Sequence, residues 1–137
     1  MKWLKLSLLP LTVILLSGTC QKAVNSADSY VIPVNRSINF TMNSVERDIY
    51  FDSVVMDNRC PPNVTCIAAG EGVCRFIVRS GAQSQPVTLS TMPAGNGAAR
   101  YPREVQVSGM NIRLETLIPL PRDTYGAYKA QVVVSAL

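Results

Sequence analysis

Apolar and polar residues alternate one for one over most of this chain, the repeat of a strand with one buried face. Ile38, Phe40 and Met42 fall on one side, with Ser37, Asn39 and Thr41 on the other. Cys74, Phe76 and Val78 oppose Arg75 and Arg79; Ile112, Leu114, Thr116 and Ile118 oppose Asn111, Arg113 and Glu115; Tyr128, Ala130, Val132 and Val134 oppose Lys129, Gln131 and Ser135. Residues 49–56, rich in aromatic and β-branched types, read as a more deeply buried strand. Pro33 cannot donate to a ladder, so residues 31–34 read as a sheet edge. Turn chemistry separates the runs at Asn43-Ser44, at residues 81–85 ahead of a short strand over 86–91, and at Ser108-Gly109, which suits a tight hairpin. About seven short strands with a turn roughly every 8–12 residues predict an all-β fold, an antiparallel β-sandwich, with a small β-barrel as the alternative.

The N-terminus breaks this pattern. Lys2 and Lys5 lead an apolar run over residues 6–16, interrupted only by Ser7, Pro10 and Thr12 and followed by small or polar residues. A bilayer-spanning helix needs about 20 apolar residues, so this shorter run reads as an export signal. The expected organisation is an export signal over 1–19, a flexible tether over 20–29 and one β-sandwich domain over 30–137. Of the formal charge of +4, two units lie on Lys2 and Lys5. The mature chain is left near neutral, its arginines interspersed with Asp and Glu, and a basic patch for nucleic acid is not expected.

Ser17-Gly18-Thr19-Cys20 resembles the lipobox of bacterial lipoproteins, in which the cysteine after the cleaved bond is acylated. The departures are Ser17, where that pattern prefers Leu, and Thr19, where it prefers Gly, Ala or Ser. The resemblance implies lipidation of Cys20 and anchoring to the membrane through that lipid, with a periplasmic or secreted protein as the alternative. Two or three acyl chains hold far more firmly than the single chain that binds marginally.

The four cysteines sharpen the expectation. In an exported protein, Cys60 and Cys66 are most economically read as a disulfide closing a short loop around Pro61-Pro62-Asn63. A seven-residue loop gives about 2.4 kcal/mol by the chain-entropy argument, less what the prolines already restrict. Pairings of Cys74 with Cys20, Cys60 or Cys66 stay open at this point. A zinc site from Cys60, Cys66 and Cys74 is disfavoured, because the chain has no His and the spacings lack the close pairs of structural zinc. Cys74, on an apolar face, reads as an inert core residue.

Asp57, Arg59, Cys60, Pro61, Val64, Cys66, Ala69 and Gly70 match a motif of small bacterial envelope proteins, many of them predicted lipoproteins: Asp-Ser-Arg-Cys-Pro, then Val and Cys, then an apolar-aromatic-Ala-Gly tail. Asn58 stands in place of Ser, and Ala68 where an aromatic is common. The resemblance implies an exported β-rich domain with its two cysteines bonded, and carries no activity with it. From the residues themselves, Asp57 and Arg59 read as a pair across the turn rather than as ligand contacts.

Residues 93–99 form the internal stretch richest in small residues and lead to Arg100, Tyr101 and Arg103, the candidate loop contacts for a glycan, a peptide or a lipid head group. No catalytic residues, cofactor or metal are expected. Without His, acid-base chemistry would fall to carboxylates such as Asp52 and Asp57, which show nothing beyond proximity. A thiol-redox or metal-handling role would rest on Cys60, Cys66 and Cys74, which lack the Cys-x-x-Cys spacing of oxidoreductases. The reading that remains is a non-catalytic binding or structural module of the cell envelope, with a protein or glycan partner.

Overall fold

Three two-residue turns set the pairing of the longer strands. Asn43 and Ser44 have φ of 52° and 61°, and Ser108 and Gly109 have φ of 51° and 74°. These are the left-handed pairs of type I′ turns, whose twist matches the strands they join. Gly81, at φ 58°, opens the third. A computed structural model describes residues 27–92, 100–120 and 127–137. Among these it has eight strands and no helix: β1 (Asp28–Pro33), β2 (Arg36–Met42), β3 (Val45–Asp57), β4 (Gly72–Ser80), β5 (Gln83–Ser90), β6 (Glu104–Val107), β7 (Met110–Ile118) and β8 (Lys129–Ala136). The turns are closed by the pairs Met42 with Val45, Ser80 with Gln83, and Val107 with Met110. The turn after β4 is therefore shorter than the sequence suggests, and β5 runs through Pro86, which an edge strand tolerates.

The strands form two antiparallel four-stranded sheets, ordered β1-β8-β7-β6 and β2-β3-β4-β5. Taken around the molecule, spatial order follows chain order, as in an up-and-down barrel. Two seams between the sheets make the fold a sandwich instead. At the first, the Val34 N–H donates to Tyr128 O at 2.8 Å, and the next N–H, of Asn35, donates to Phe51 O at 2.8 Å. The chain thus changes sheets within one peptide, with Asn35 at φ 61°. Tyr30 stacks on Phe40 across this seam, their ring centroids 5.7 Å apart. At the second, the Ser90 N–H donates to Pro102 O at 2.9 Å.

Alternation buries one face of each sheet against the other. Ile32, Ile49, Phe51, Cys74, Phe76, Leu89, Met110, Ile112, Leu114, Ala130 and Val132 are wholly buried between the sheets. Phe51 and Phe76 stack with centroids 5.0 Å apart, each worth about 1.5–3 kcal/mol from burial. β1 is an edge strand, as Pro33 suggests, and it begins at Asp28, inside the segment read as tether: Asp28 pairs with Val134 and Ser29 with Val133.

Bulges correct two expectations. The register of β3 against β4 shifts between Phe51 and Ser53 and again between Val54 and Met56. Deep burial therefore stops at Phe51, and Val55 is exposed. In β7 the register shifts between Leu114 and Thr116. Because an extra residue reverses every later side chain, Leu117 faces the core and Ile118 faces out, not the shared Thr116 and Ile118 face expected from alternation.

The topology gives the sandwich two unlike ends. One end, the turn pole, carries the three tight turns, the start of β1 and the end of β8. The other, the corner pole, carries the connection over residues 58–71, the end of β5, the start of β6, the end of β7 and the start of β8. At the turn pole Arg47, on the inward face of β3, is buried, and its Nη1 donates across to Ser108 O.

Candidate functional site

Asp57 ends β3, and the chain must then turn out of the sheet and return to Gly72 opposite it. The return is tied at its base, where the Asn58 N–H donates to Glu71 O at 3.1 Å. Farther out, Cys60 and Cys66 are bonded, with their Cα atoms 6.0 Å apart. This settles the pairing among the described cysteines: Cys74 is free and buried. Cys20 lies outside the described residues, as does the stretch 93–99.

Arg59 folds back onto Asp57. Its Nε donates to Oδ1 and its Nη2 to Oδ2, both at 2.8 Å, a side-on fork that only a guanidinium makes. The same head continues to the other sheet, with Nη1 donating to Leu117 O and Nη2 to Pro119 O at 2.6 Å. Tyr128, just before β8, donates its hydroxyl to Asp57 Oδ2 at 3.1 Å. The Arg59 and Asp57 side chains are 10% and 7% exposed, so this is a nearly dry network joining the end of β3 to β7 and β8. Gly72 makes room for it: a Cβ there would stand 3.2 Å from Arg59 Cδ and Nε and from Leu117 Cδ2. The expected pairing of Asp57 with Arg59 holds, but the pair also locks the corner onto the opposite sheet.

A second tie lies beside it. Glu71 is buried and accepts a hydrogen bond from Ser90 Oγ at 2.7 Å, and Ser90 Oγ accepts one from the Met92 N–H at 3.1 Å. Gly72 and Thr91 bond each other, the Gly72 N–H to Thr91 Oγ1 and the Thr91 N–H to Gly72 O, both at 2.9 Å. Neither Glu71 nor Ser90 stands out by its neighbours in the chain. Tyr128 carried a usable signal, since a Tyr opening an inward-facing run needs a buried acceptor for its hydroxyl.

Burial alone would raise the Asp57 carboxyl, but the hydrogen bonds and charge of Arg59 and the Tyr128 hydroxyl outweigh it and hold the group below its ordinary value. A carboxylate depressed in the folded state contributes stability above the unfolded pKa of about 3.9 and loses it as pH falls through the folded value. Between pH 5 and pH 2 the wild-type melting temperature is therefore expected to fall more steeply than that of Asp57→Asn, which has no carboxylate to protonate at position 57. Parallel slopes would remove Asp57 from the acid sensitivity.

Burial pushes the Cys74 thiol up to about 12. At pH 8 it stays a neutral thiol enclosed by the core, and nucleophilic attack needs the thiolate. We expect no alkylation of Cys74 by iodoacetamide over an hour in the folded protein, and alkylation of Cys74 once the chain is unfolded in urea. Labelling in the folded state would show that this part of the core opens.

The three loop candidates differ in their settings. Arg100 is exposed and Tyr101 half-buried. Arg103 is turned onto the β7 bulge, its Nε donating to Leu114 O at 3.0 Å and its Nη2 to Glu115 Oε2 at 3.2 Å. Of the two carboxylates weighed for catalysis, Asp52 accepts a hydrogen bond from the neighbouring Ser53 hydroxyl and Asp57 is held in the Arg59 network. Among the described residues no group of His, Cys, Asp and Glu is arranged to hold a metal ion. Compared with protein-family models, curated proteins and solved structures, the chain has no match.

Proposed function

We propose that this chain is an exported protein of the bacterial cell envelope, anchored through lipid on Cys20, whose sandwich serves without catalysis as a binding or structural module. The observation that carries the reading is the Cys60 to Cys66 bond at a surface corner, in a chain whose first 19 residues have the make-up of an export signal. An exposed disulfide of this kind persists in oxidising compartments and not in a reducing cytosol. The resemblance of the corner to small envelope proteins points the same way. The corner's chemistry supports a module rather than an enzyme, because Asp57, Arg59 and Tyr128 bond one another and backbone carbonyls.

Intact mass of the mature protein from its native host, before and after alkylation in denaturant, tests this. The expected result is a chain beginning at Cys20 with a diacyl or triacyl increment and one alkylatable thiol. A lipid-free chain with a different start overturns the anchor. Three free thiols would remove the disulfide and return the corner cysteines to a thiol-redox or metal-handling role.

A further inference from the structure

Arg47 lies on the inward face of β3 and is only 7% exposed, so its guanidinium is drawn into the turn-pole end of the sandwich. Its neighbours across the two ladders are Phe40 on β2 and Ser80 on β4, and neither carries a charge. Among the described residues the ion-paired carboxylates are Asp48, Asp57 and Glu115, and they serve Arg79, Arg59, Arg103 and Arg113 rather than Arg47. Arg47 Nη1 donates to Ser108 O, whereas its Nε is buried and meets no acceptor among those residues. A buried cation without an opposite charge is costly to hold. Arg59 shows what completes such a head. There too Nη1 bonds a backbone carbonyl, that of Leu117, while Nε and Nη2 close on the two oxygens of Asp57. Arg47 repeats the carbonyl bond and turns the same Nε and Nη2 edge to no carboxylate of the described chain.

We infer that Arg47 and Gly109 form a binding site for a small monocarboxylic acid, whose carboxylate oxygens accept hydrogen bonds from Arg47 Nε and Nη2. Gly109 keeps the approach to the head clear. A Cβ built there would lie 3.6 Å from Arg47 Nη2 and 3.9 Å from Nη1 and, its chain neighbours apart, would meet nothing else within 4 Å. Any side chain at this position would therefore stand over the guanidinium, and φ of 74° favours glycine there as well. Charge selects the class of ligand. One guanidinium balances one negative charge, and its planar edge matches the two oxygens of a carboxylate. A phosphate group carries about −1.5 to −2 near neutral pH and would leave an excess of negative charge beside Phe40. Burial selects its size, because a head so nearly enclosed admits the carboxyl end of a small acid and not a broad macromolecular surface. The site does not depend on lipid at Cys20.

The test follows the Arg47 Nε–H resonance of isotope-labelled mature protein by NMR at pH 7.5, during titration with sodium acetate, sodium phosphate, or sodium chloride at matched ionic strength. The expected result is a saturable shift with acetate, half complete at or below about 10 mM, a weaker response to phosphate and none that saturates with chloride. Acetate should also raise the melting temperature above that in chloride, as a ligand of the folded state does. Arg47→Met, an apolar replacement for the buried head, should lose that rise. Gly109→Asp, which brings a carboxylate of the chain itself to the head, should respond to acetate at least tenfold more weakly than wild type. The wild-type titration decides the question even if Arg47→Met fails to fold. No saturable shift with acetate, an equal shift with chloride, tighter binding of phosphate than of acetate, or an unaltered acetate response in Gly109→Asp overturns the inference.

Discussion

Arg59→Ala is expected to lower stability by about 3–5 kcal/mol, the usual cost of removing one partner of a buried ion pair. The loss has two sources. Asp57, 7% exposed, would keep a charge without its forked donor, and the carbonyls of Leu117 and Pro119 would lose theirs. For a domain of this size the loss corresponds to a fall of about 12–20 °C in melting temperature. Arg59→Lys should fall between wild type and Ala, because an ammonium cannot match the carboxylate with two parallel bonds and reach two further carbonyls. Asp48 and Arg79 make the comparison. They pair at 2.7 Å, but the Arg79 side chain is 49% exposed, and solvent-exposed pairs are worth about 0–1 kcal/mol. Urea unfolding of Arg59→Ala, Arg59→Lys and Arg79→Ala separates these cases. Equal midpoints for the two Ala variants would mean that the Arg59 network does not hold the sheets together.

The architecture was legible in the sequence wherever side chains kept strict alternation. Cys74, Phe76 and Val78 face the core and Arg75 and Arg79 face out, as their order implies. The turns at Asn43-Ser44 and Ser108-Gly109 were legible because their conformations need residues that tolerate positive φ. What failed was continuity along a strand. Nothing in the order Leu114, Glu115, Thr116, Leu117 marks the extra residue that reverses the face, since a bulge depends on what the partner strand and Arg103 present to it. The site divides in the same way. Asp57 and Arg59 stand two residues apart and read as a pair, whereas their other partners lie 58 to 71 residues away in sequence. Backbone carbonyls such as those of Leu117 and Pro119 carry no sequence signature, so only the fold reveals that the corner is a tie between sheets.

Gly70→Ala is expected to cost at least as much as the loss of Arg59, for a reason that conformational preference does not supply. A Cβ built on Gly70 would lie 1.5 Å from Asn58 O, 2.4 Å from Asn58 C and 2.9 Å from Arg59 N. These are backbone atoms, so no rotamer change relieves the overlap, and the two arms of the corner must separate. Separation breaks the Asn58 to Glu71 hydrogen bond and draws Arg59 away from Asp57 together, with a combined loss above about 3 kcal/mol. Gly81→Ala is the control. Gly81 has φ 58°, but a Cβ there meets nothing within 4 Å, so only backbone strain of about 1–2 kcal/mol opposes it. Two measurements distinguish a sprung corner from general weakening: the urea midpoint, and the rate at which dithiothreitol reduces the Cys60 to Cys66 bond under native conditions. Gly70→Ala should lower the midpoint more than Gly81→Ala and speed reduction, whereas Gly81→Ala should leave the reduction rate near wild type. Matching midpoints in the two variants would mean that the Asn58 carbonyl and Gly70 do not pack as closely as this geometry requires.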